Sequence, residues 1–339
     1  MDRKIATIQD VARAAGVSTA TVSRTLSNPS VVAEATQTAV LQAVEQTGYR
    51  VNHLASNLRR QRTGSVIALV PNLANPFFSQ IMAGISSILT PAMYSLLIAD
   101  TQFGPDPHER LEHYLRNGVA DGLILFDAAL SLDSRRILGR PPIISACEWL
   151  ETGIPYVRVD NEHGAELAVA HLAGLGHQRI GHVTGPRGNV LTDARLRGFT
   201  QALGRRGLTL REDWIYGGDF SMDSGALAAK RWLNAPDRPS ALFFSSDEMA
   251  IGFMGAVQHA GFDVPGDVSV IGFDNIEVVG HLTPALTTIR QPRTDIGLRA
   301  AELLLGMIDA GATTCPSEII EVELIVRAST GPQKGSVPA

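Results

Sequence analysis

Cysteine is nearly absent. Cys147 and Cys315 are the only two in 339 residues, and they stand far apart. Two cysteines so placed argue against a disulfide framework or a thiolate metal site, and two buried thiols are expected. Long apolar runs are missing as well. None approaches the roughly 20 residues of a membrane span. The first twelve residues carry Asp2, Arg3, Lys4 and Asp10 and lack the apolar segment of a secretory leader, so a cytoplasmic location is expected. Lysine is restricted to Lys4, Lys230 and Lys334, none of them in a GxxxxGK[ST] loop, and GxSxG, HExxH and CxxC do not occur. The glycine-rich stretch GLGHQRIG (Gly174–Gly181) follows a helical pattern and precedes a strand pattern, the reverse of a dinucleotide loop. The histidines are scattered and are expected at surface or capping positions. No cofactor, no metal and no catalytic activity are expected.

What is present is an ordinary globular composition, 45% hydrophobic and 19% charged, with apolar mass enough for a large core and two or three domains. The net charge of −5 is unevenly distributed. Residues 1–62 hold eight Lys/Arg against four acids, a net +4, and the remainder carries −9. A basic head on an acidic body suits a head that approaches phosphates.

Residues 5–48 show helical patterns only. Thr7 precedes Ile8, Val11, Ala12 and Ala15 on one helical face, Asp10 completes a capping-box spacing, and Gly16 suits a left-handed stop. Ser18 is placed to cap a second helix from Thr19 to Leu26, with Val22 and Leu26 inward and Asn28-Pro29 ending it. A third helix presents Ala39, Val40, Ala43 and Val44 and ends at Gly48. Helix, tight turn, helix and supporting helix is the layout of a helix-turn-helix unit. Residues 49–63 are polar and basic and read as a linker, with a short helix or a plain tether around 52–59.

From Ser65 the pattern becomes strand–helix–strand. Apolar runs at Val66–Val70, Ser95–Ala99, Gly122–Phe126, Ile143–Ala146, Tyr156–Val159, Ile180–Val183, Ala241–Phe244 and Val268–Ile271 alternate with helical stretches. This predicts parallel sheets covered by helices, and nearly 270 residues of it predict two α/β subdomains. Ligands in such folds bind beyond the carboxyl ends of strands, which nominates Asn72, Asp127, Glu148, Asp160, Gly185, Ser246 and Asp274. The tail after Thr330 is expected to fray.

IQDVARAAG (Ile8–Gly16) and VSTATVSR (Val17–Arg24) closely resemble the DNA-binding head of the lactose/galactose repressor family. The similarity continues through GYRVNHLASNLRR (Gly48–Arg60), NPFF (Asn75–Phe78), DGLIL (Asp121–Leu125), VDN (Val159–Asn161) and GHQRIGHVTGP (Gly176–Pro186). RLRGF (Arg195–Phe199), SSDEMAIG (Ser245–Gly252), VSVIGFDN (Val268–Asn275) and LTTIRQP (Leu286–Pro292) extend it over nearly the whole chain. The wording is nearest the purine and cytidine repressor branch. The resemblance implies a helix-turn-helix head (1–50), a hinge (51–63) and a two-lobed α/β core of the periplasmic-binding-protein type. The first lobe is placed at 64–160 with 291–322 and the second at 161–290 with 323–333.

The resemblance also implies roles. The chain is expected to be a repressor that binds pseudo-palindromic operator DNA as a homodimer under the control of a small molecule. Thr19, Ala20 and Arg24 would meet base edges, and Arg24 suits a bidentate contact to guanine. Thr7, Ser18, Thr21 and Ser23 would position the head on phosphates. In the hinge, Leu58 would wedge into the minor groove, flanked by Ala55, Asn57 and Arg59. Val51 stands where relatives often have proline, and Gln37 replaces a common arginine. Arg195, Phe220 and Asp274 align with effector-contacting positions, joined by Glu148, Ser246 and Gln291. Phe77 and Phe78 are equally readable as cleft wall or as core. Asn189 stands where the purine branch has a second arginine, which counts against a purine base and leaves a nucleoside or a sugar derivative. A solute-binding protein without DNA affinity is the competing reading, and the basic head counts against it.

Overall fold

The computed structural model describes residues 6–49, 62–102, 119–127, 141–150 and 153–333. They form two units, a head up to Thr63 and a core from Gly64 onward.

In the head, α1 (Ile8–Ala15) begins where the Thr7 amide and hydroxyl both donate to the Asp10 carboxylate, at 3.0 and 2.7 Å. It ends at Gly16, whose φ of 65° is the left-handed conformation that a side chain would strain. Ser18 starts α2 (Thr19–Ser27), its hydroxyl accepting from the Thr21 amide at 3.1 Å. A 3-10 turn, Pro29–Val31, leads to α3 (Glu34–Thr47). Val11, Ala12, Val22, Val40 and Ala43 meet in a small apolar core, with Ile8, Ala15, Leu26 and Val44 packed around it. The Gln37 amide donates to the carbonyls of Pro29 and Val32, both at 2.8 Å, and so ties α3 to the turn before it.

The core contains two six-stranded sheets. Its elements run β1 (Ser65–Val70), α4 (Phe77–Leu89), β2 (Ser95–Asp100), β3 (Gly122–Leu125), β4 (Ile143–Ala146) and β5 (Tyr156–Val159). They continue as α5 (Asn161–Gly174), β6 (Ile180–Val183), α6 (Val190–Arg205), β7 (Ile215–Tyr216), α7 (Met222–Asn234), β8 (Ala241–Phe244), α8 (Asp247–His259) and β9 (Ser269–Asp274). The last are β10 (Thr287–Arg290), α9 (Arg293–Ala310), β11 (Glu318–Ile320) and β12 (Glu323–Ile325). The first sheet has the order β11-β5-β4-β3-β1-β2 and the second β12-β10-β9-β8-β6-β7. Every pairing is parallel except β12 against β10. Such sheets are covered on both faces, which is why β3, β4, β6 and β8 are buried at every residue and are largely apolar, with Ser145 and His182 as the polar exceptions.

The chain passes between the two lobes at Asp160, at Gln291-Pro292 and at residues 321–322. Helix α9 therefore returns to the first lobe, where it packs on β3, β4, β5 and α4. A Cβ at Gly84 of α4 would lie 2.2 Å from the Thr294 carbonyl oxygen, and one at Gly297 of α9 would lie 2.1 Å from that of Ile81. The two helices approach so closely that only hydrogen fits between them.

Several expectations are corrected. Residues 331–333 do not fray: the Gly331 amide donates to the Ser269 hydroxyl at 3.1 Å and the Gln333 amide to the Leu175 carbonyl at 3.1 Å. His177 and His182 are buried rather than superficial, and Cys315 is half-buried where burial was expected. Strand β9 runs on to Asp274, so that residue closes a strand instead of following one.

Candidate functional site

A cavity of about 510 Å³ opens within the core, between the carboxyl ends of the strands of the two lobes. That volume falls in the range of small-molecule sites. The first lobe supplies Phe77 and Phe78 from the start of α4, Phe126 and Asp127 after β3, and Cys147 and Glu148 after β4. The second supplies Asn189 and Arg195 at α6, Asp219 and Phe220 before α7, Ser246 and Glu248 at α8, and Asp274 from β9, with Gln291 at the crossing. All nine residues singled out for a ligand thus line one cleft. Of the strand-end residues, Asp160 and Gly185 do not. Asp160 caps α5 through the His163 amide, and Gly185 lies beneath the Phe220 ring.

Arg195 is the fixed point of the cleft. It is 2% exposed and reaches inward from α6. Its Nε donates to Asn161 Oδ1 at 2.9 Å, one terminal nitrogen donates to the Ser245 carbonyl, and the guanidinium lies 3.7 Å over the Phe273 ring. Burial lowers its pKa to about 10, with Asp274 the foremost opposing influence, so the side chain is charged at neutral pH. Behind it, His182 is sandwiched between Phe199 and Phe243, at ring distances of 5.0 and 4.7 Å. His182 Nδ1 donates to the Phe243 carbonyl at 2.9 Å, and its Nε2 accepts from the Ser245 hydroxyl at 3.3 Å. Burial pushes the His182 pKa down to about 4, so the imidazole is neutral.

Asp274 accepts from the Gln291 amide at 2.7 Å. Burial raises its pKa, and the nearby Arg195 pulls it back. A second buried carboxylate, Asp247, lies behind it at the start of α8. Asp247 accepts from the Thr288 hydroxyl at 2.6 Å and the Ile276 amide at 2.9 Å, and burial followed by the Asp274 charge raises its pKa. Phe77 and Phe78 settle both ways: each is at least nine-tenths buried in the core cluster and each lines the cleft. Phe78 packs edge-on to Phe126 at 5.6 Å. On the facing wall, Phe220 is held at φ 69° against Gly185, where a Cβ would come within 2.3 Å of the ring. Asn189 caps α6 and also donates from Nδ2 to Glu148 Oε1 at 2.6 Å, a hydrogen bond between the lobes.

Asp247, Asn161, Ser245 and His182 were missed in the sequence. SSDE (Ser245–Glu248), directly after an apolar strand, carried a signal for Asp247, because polar residues there sit at a strand's carboxyl end. Among the described residues, no group of three His, Cys, Asp or Glu is placed to hold a metal ion, and no helix is long and apolar enough to cross a membrane.

In the head, Thr7, Ser18, Thr19, Ala20 and Arg24 are exposed, and Thr21 and Ser23 are half-buried. The Ser18 hydroxyl is engaged with Thr21, whereas Thr19 and Ala20 face outward at the amino end of α2. The hinge residues Ala55, Asn57, Leu58 and Arg59 lie outside the described residues.

Comparison with known proteins decides the family. The profile of the bacterial regulatory proteins of the lacI family matches residues 7–52, and that of a periplasmic binding protein-like domain matches 169–330. The HTH-type transcriptional repressor CytR of Escherichia coli (strain K12) is 37% identical over 330 residues, 96% of each chain. The chain belongs to the lacI family of bacterial regulatory proteins. A second relative in this family, the repressor PurR of Aliivibrio salmonicida, is 36% identical over 311 residues, 90% of this chain and 92% of its own. Among solved structures, the Lac repressor dimer bound to operator and the anti-inducer ONPF matches with a TM-score of 0.83 and 29% identity, covering 97% of this chain and all of that one. The transcriptional regulator CelR in complex with cellobiose matches with a TM-score of 0.72 and 32% identity, covering 96% and 99% of the two chains. The chain is thus a DNA-binding transcriptional regulator with a helix-turn-helix head and a periplasmic-binding-type core.

Proposed function

We propose that the protein is a cytoplasmic repressor that binds a pseudo-palindromic operator as a homodimer and releases or grips it according to a small molecule held in the core cleft, with no enzymatic activity of its own. The observation that carries this reading is the cleft itself: a buried guanidinium and a buried carboxylate, Arg195 and Asp274, between the aromatic walls of Phe77, Phe78 and Phe220. Charged donor, acceptor and flat apolar faces together suit a ring that bears hydroxyls. A nucleoside is the favoured ligand, from the resemblance of the sequence to the purine and cytidine repressor branch. A sugar is the second reading, favoured by the cellobiose in the CelR structure and the ribose in that of a LacI-family regulator from Enterococcus faecium, which is 32% identical.

Residues 64–160 with 291–322 and 161–290 with 323–333 act as the two lobes, and Glu148, Asn189, Ser246 and Gln291 complete the ligand contacts. Ligand and operator communicate only if the ligand binds one lobe arrangement better than the other. On DNA, Thr19, Ala20 and Arg24 read bases, Thr7, Ser18, Thr21 and Ser23 contact the backbone, and Leu58 with Ala55, Asn57 and Arg59 engages the minor groove. Asp274→Ala is expected to retain operator binding and lose the ligand response. Calorimetry with nucleosides, on wild type and variant, with and without operator, tests it. A variant that responds normally refutes the cleft assignment, and a wild type that binds hexoses alone refutes the nucleoside.

A further inference from the structure

Among the described residues the cleft is lined by six carboxylates, Asp127, Glu148, Asp219, Asp223, Glu248 and Asp274, against the single cation Arg195. Asp219, Asp223, Glu248 and Asp274 enter none of the ion pairs of the described residues. Asp219 is kept ionised: burial opposes its charge, but hydrogen bonds from the Ser221 hydroxyl and amide and from Ser224 outweigh burial and lower its pKa. Arg195 hydrogen-bonds Asn161 and the Ser245 carbonyl, stacks on the Phe273 ring, and has Asp274 as the foremost charge acting on it.

A second feature is independent of charge. Four helices start at the cleft, and helix starts are where anions such as phosphate are usually received, on free backbone amides. Here side chains already take one or two of those amides at each start. Asn189 Oδ1 accepts from the Leu191 and Thr192 amides of α6, and the Ser221 hydroxyl accepts from the Ser224 amide of α7. The Ser246 hydroxyl accepts from the Met249 amide of α8, and Asn75 Oδ1 accepts from the Phe77 amide of α4. Asp223 and Glu248 add negative charge to the first turns of α7 and α8.

Resting on the reading of the cleft as the effector site, we infer that it selects by charge. Its ligand carries no phosphate or carboxylate and presents N–H or O–H donors, and Glu148 is the residue that reads one of them. Glu148 is 7% exposed, lines the cavity, and receives a donor from the opposite lobe, the Asn189 amide at 2.6 Å. A ligand donor that reaches Glu148 takes a place beside Asn189 or replaces it, and so acts on a hydrogen bond that joins the lobes.

The test uses the full chain and matched pairs: cytidine and cytidine 5′-monophosphate, adenosine and adenosine 5′-monophosphate, ribose and ribose 5-phosphate, glucosamine and glucosamine 6-phosphate. Thermal shift and calorimetry are read for each. At least one unphosphorylated member is expected to bind, with its ester weaker by more than about tenfold, the scale of like-charge repulsion in a partly desolvated cleft. Glu148→Gln is expected to weaken the bound member by about tenfold, and Glu248→Gln to narrow the gap between members of each pair. An ester that binds as well as its parent, and loses binding in Arg195→Met, overturns the charge selection while the cleft assignment stands. Binding indifferent to Glu148→Gln, Glu248→Gln and Arg195→Met removes the cleft assignment as well. Failure of all eight compounds to bind overturns the proposed ligand class.

Discussion

His182→Phe is expected to change the acid limb of the protein's stability in a defined direction. The imidazole is fully buried, stacked between Phe199 and Phe243, with its ordinary pKa of 6.5 lowered to about 4, first by burial and then by Arg195, against the opposing Phe243 carbonyl. A histidine whose folded pKa is depressed binds its proton more readily in the unfolded chain. Stability is therefore complete above about 6.5 and falls as the pH drops toward 4. That displacement corresponds to about 3 kcal/mol at pH 4. Phenylalanine removes the proton-binding group and also deprives the Phe243 carbonyl of its donor, which costs about 1–2 kcal/mol at pH 7. The variant is thus expected to be less stable than wild type at pH 7 and more stable at pH 4, the two curves crossing in between. Urea unfolding followed by tryptophan fluorescence measures this, because Trp149, Trp214 and Trp232 all belong to the core. His171 and His177 add to the acid limb of both proteins, and the raised pKa values of Asp247 and Asp274 oppose it in both, so the difference between the curves isolates His182. Parallel curves from pH 8 to pH 4 would refute the burial argument.

Arg24→Ala is expected to cost about 1–3 kcal/mol in operator affinity and to relax a single base position, read from selection on a randomised site. Unchanged base preference would remove the guanine contact. Operator affinity of the wild type is expected to fall steeply between 50 mM and 200 mM salt as counterions are released. A flat salt response would contradict the approach of the basic head to phosphates. Gly185→Ala is expected to drive a methyl into the Phe220 ring and the Thr192 hydroxyl, 2.3 and 2.5 Å from the added carbon, at about 1–3 kcal/mol of overpacking. Because Phe220 lines the cleft, ligand affinity is expected to fall at least about tenfold while operator binding persists. Equal ligand affinity in the variant would show that the ring is not a contact.

Most of the strands that sequence reading found are buried on both faces, whereas the exposed edge strand β2 was found by its apolar run alone. β3, β6 and β8 carry nothing but inward side chains, so their composition marks them without knowledge of neighbours. Strands β7, β11 and β12 escaped for the opposite reason. They are two or three residues long, lie at sheet edges, and place polar residues such as Glu318 and Glu323 in the strand. β10 escaped because Thr287, Thr288 and Arg290 read as polar, although three of its four residues are buried. In the head, the stops at Gly16 and Gly48 and the cap at Ser18 were legible because helix ends are local events, fixed by a residue's own φ and its neighbours within three positions.

The cleft divides along the same line. The sequence by itself pointed to residues at strand ends, Asn72, Asp127, Glu148 and Ser246 among them, since these depend on short-range periodicity. It also determined the basic head, since charge is additive along a chain. Only the tertiary structure decided that Glu148 and Asn189, 41 positions apart, share a hydrogen bond between lobes. It also decided that Asp247, like His182, is enclosed, and that a side chain accepts from a backbone amide at each of the four helix starts at the cleft. Burial, pairing and pKa depend on what arrives from distant segments, and no local pattern of residues encodes the dielectric in which a charge will sit.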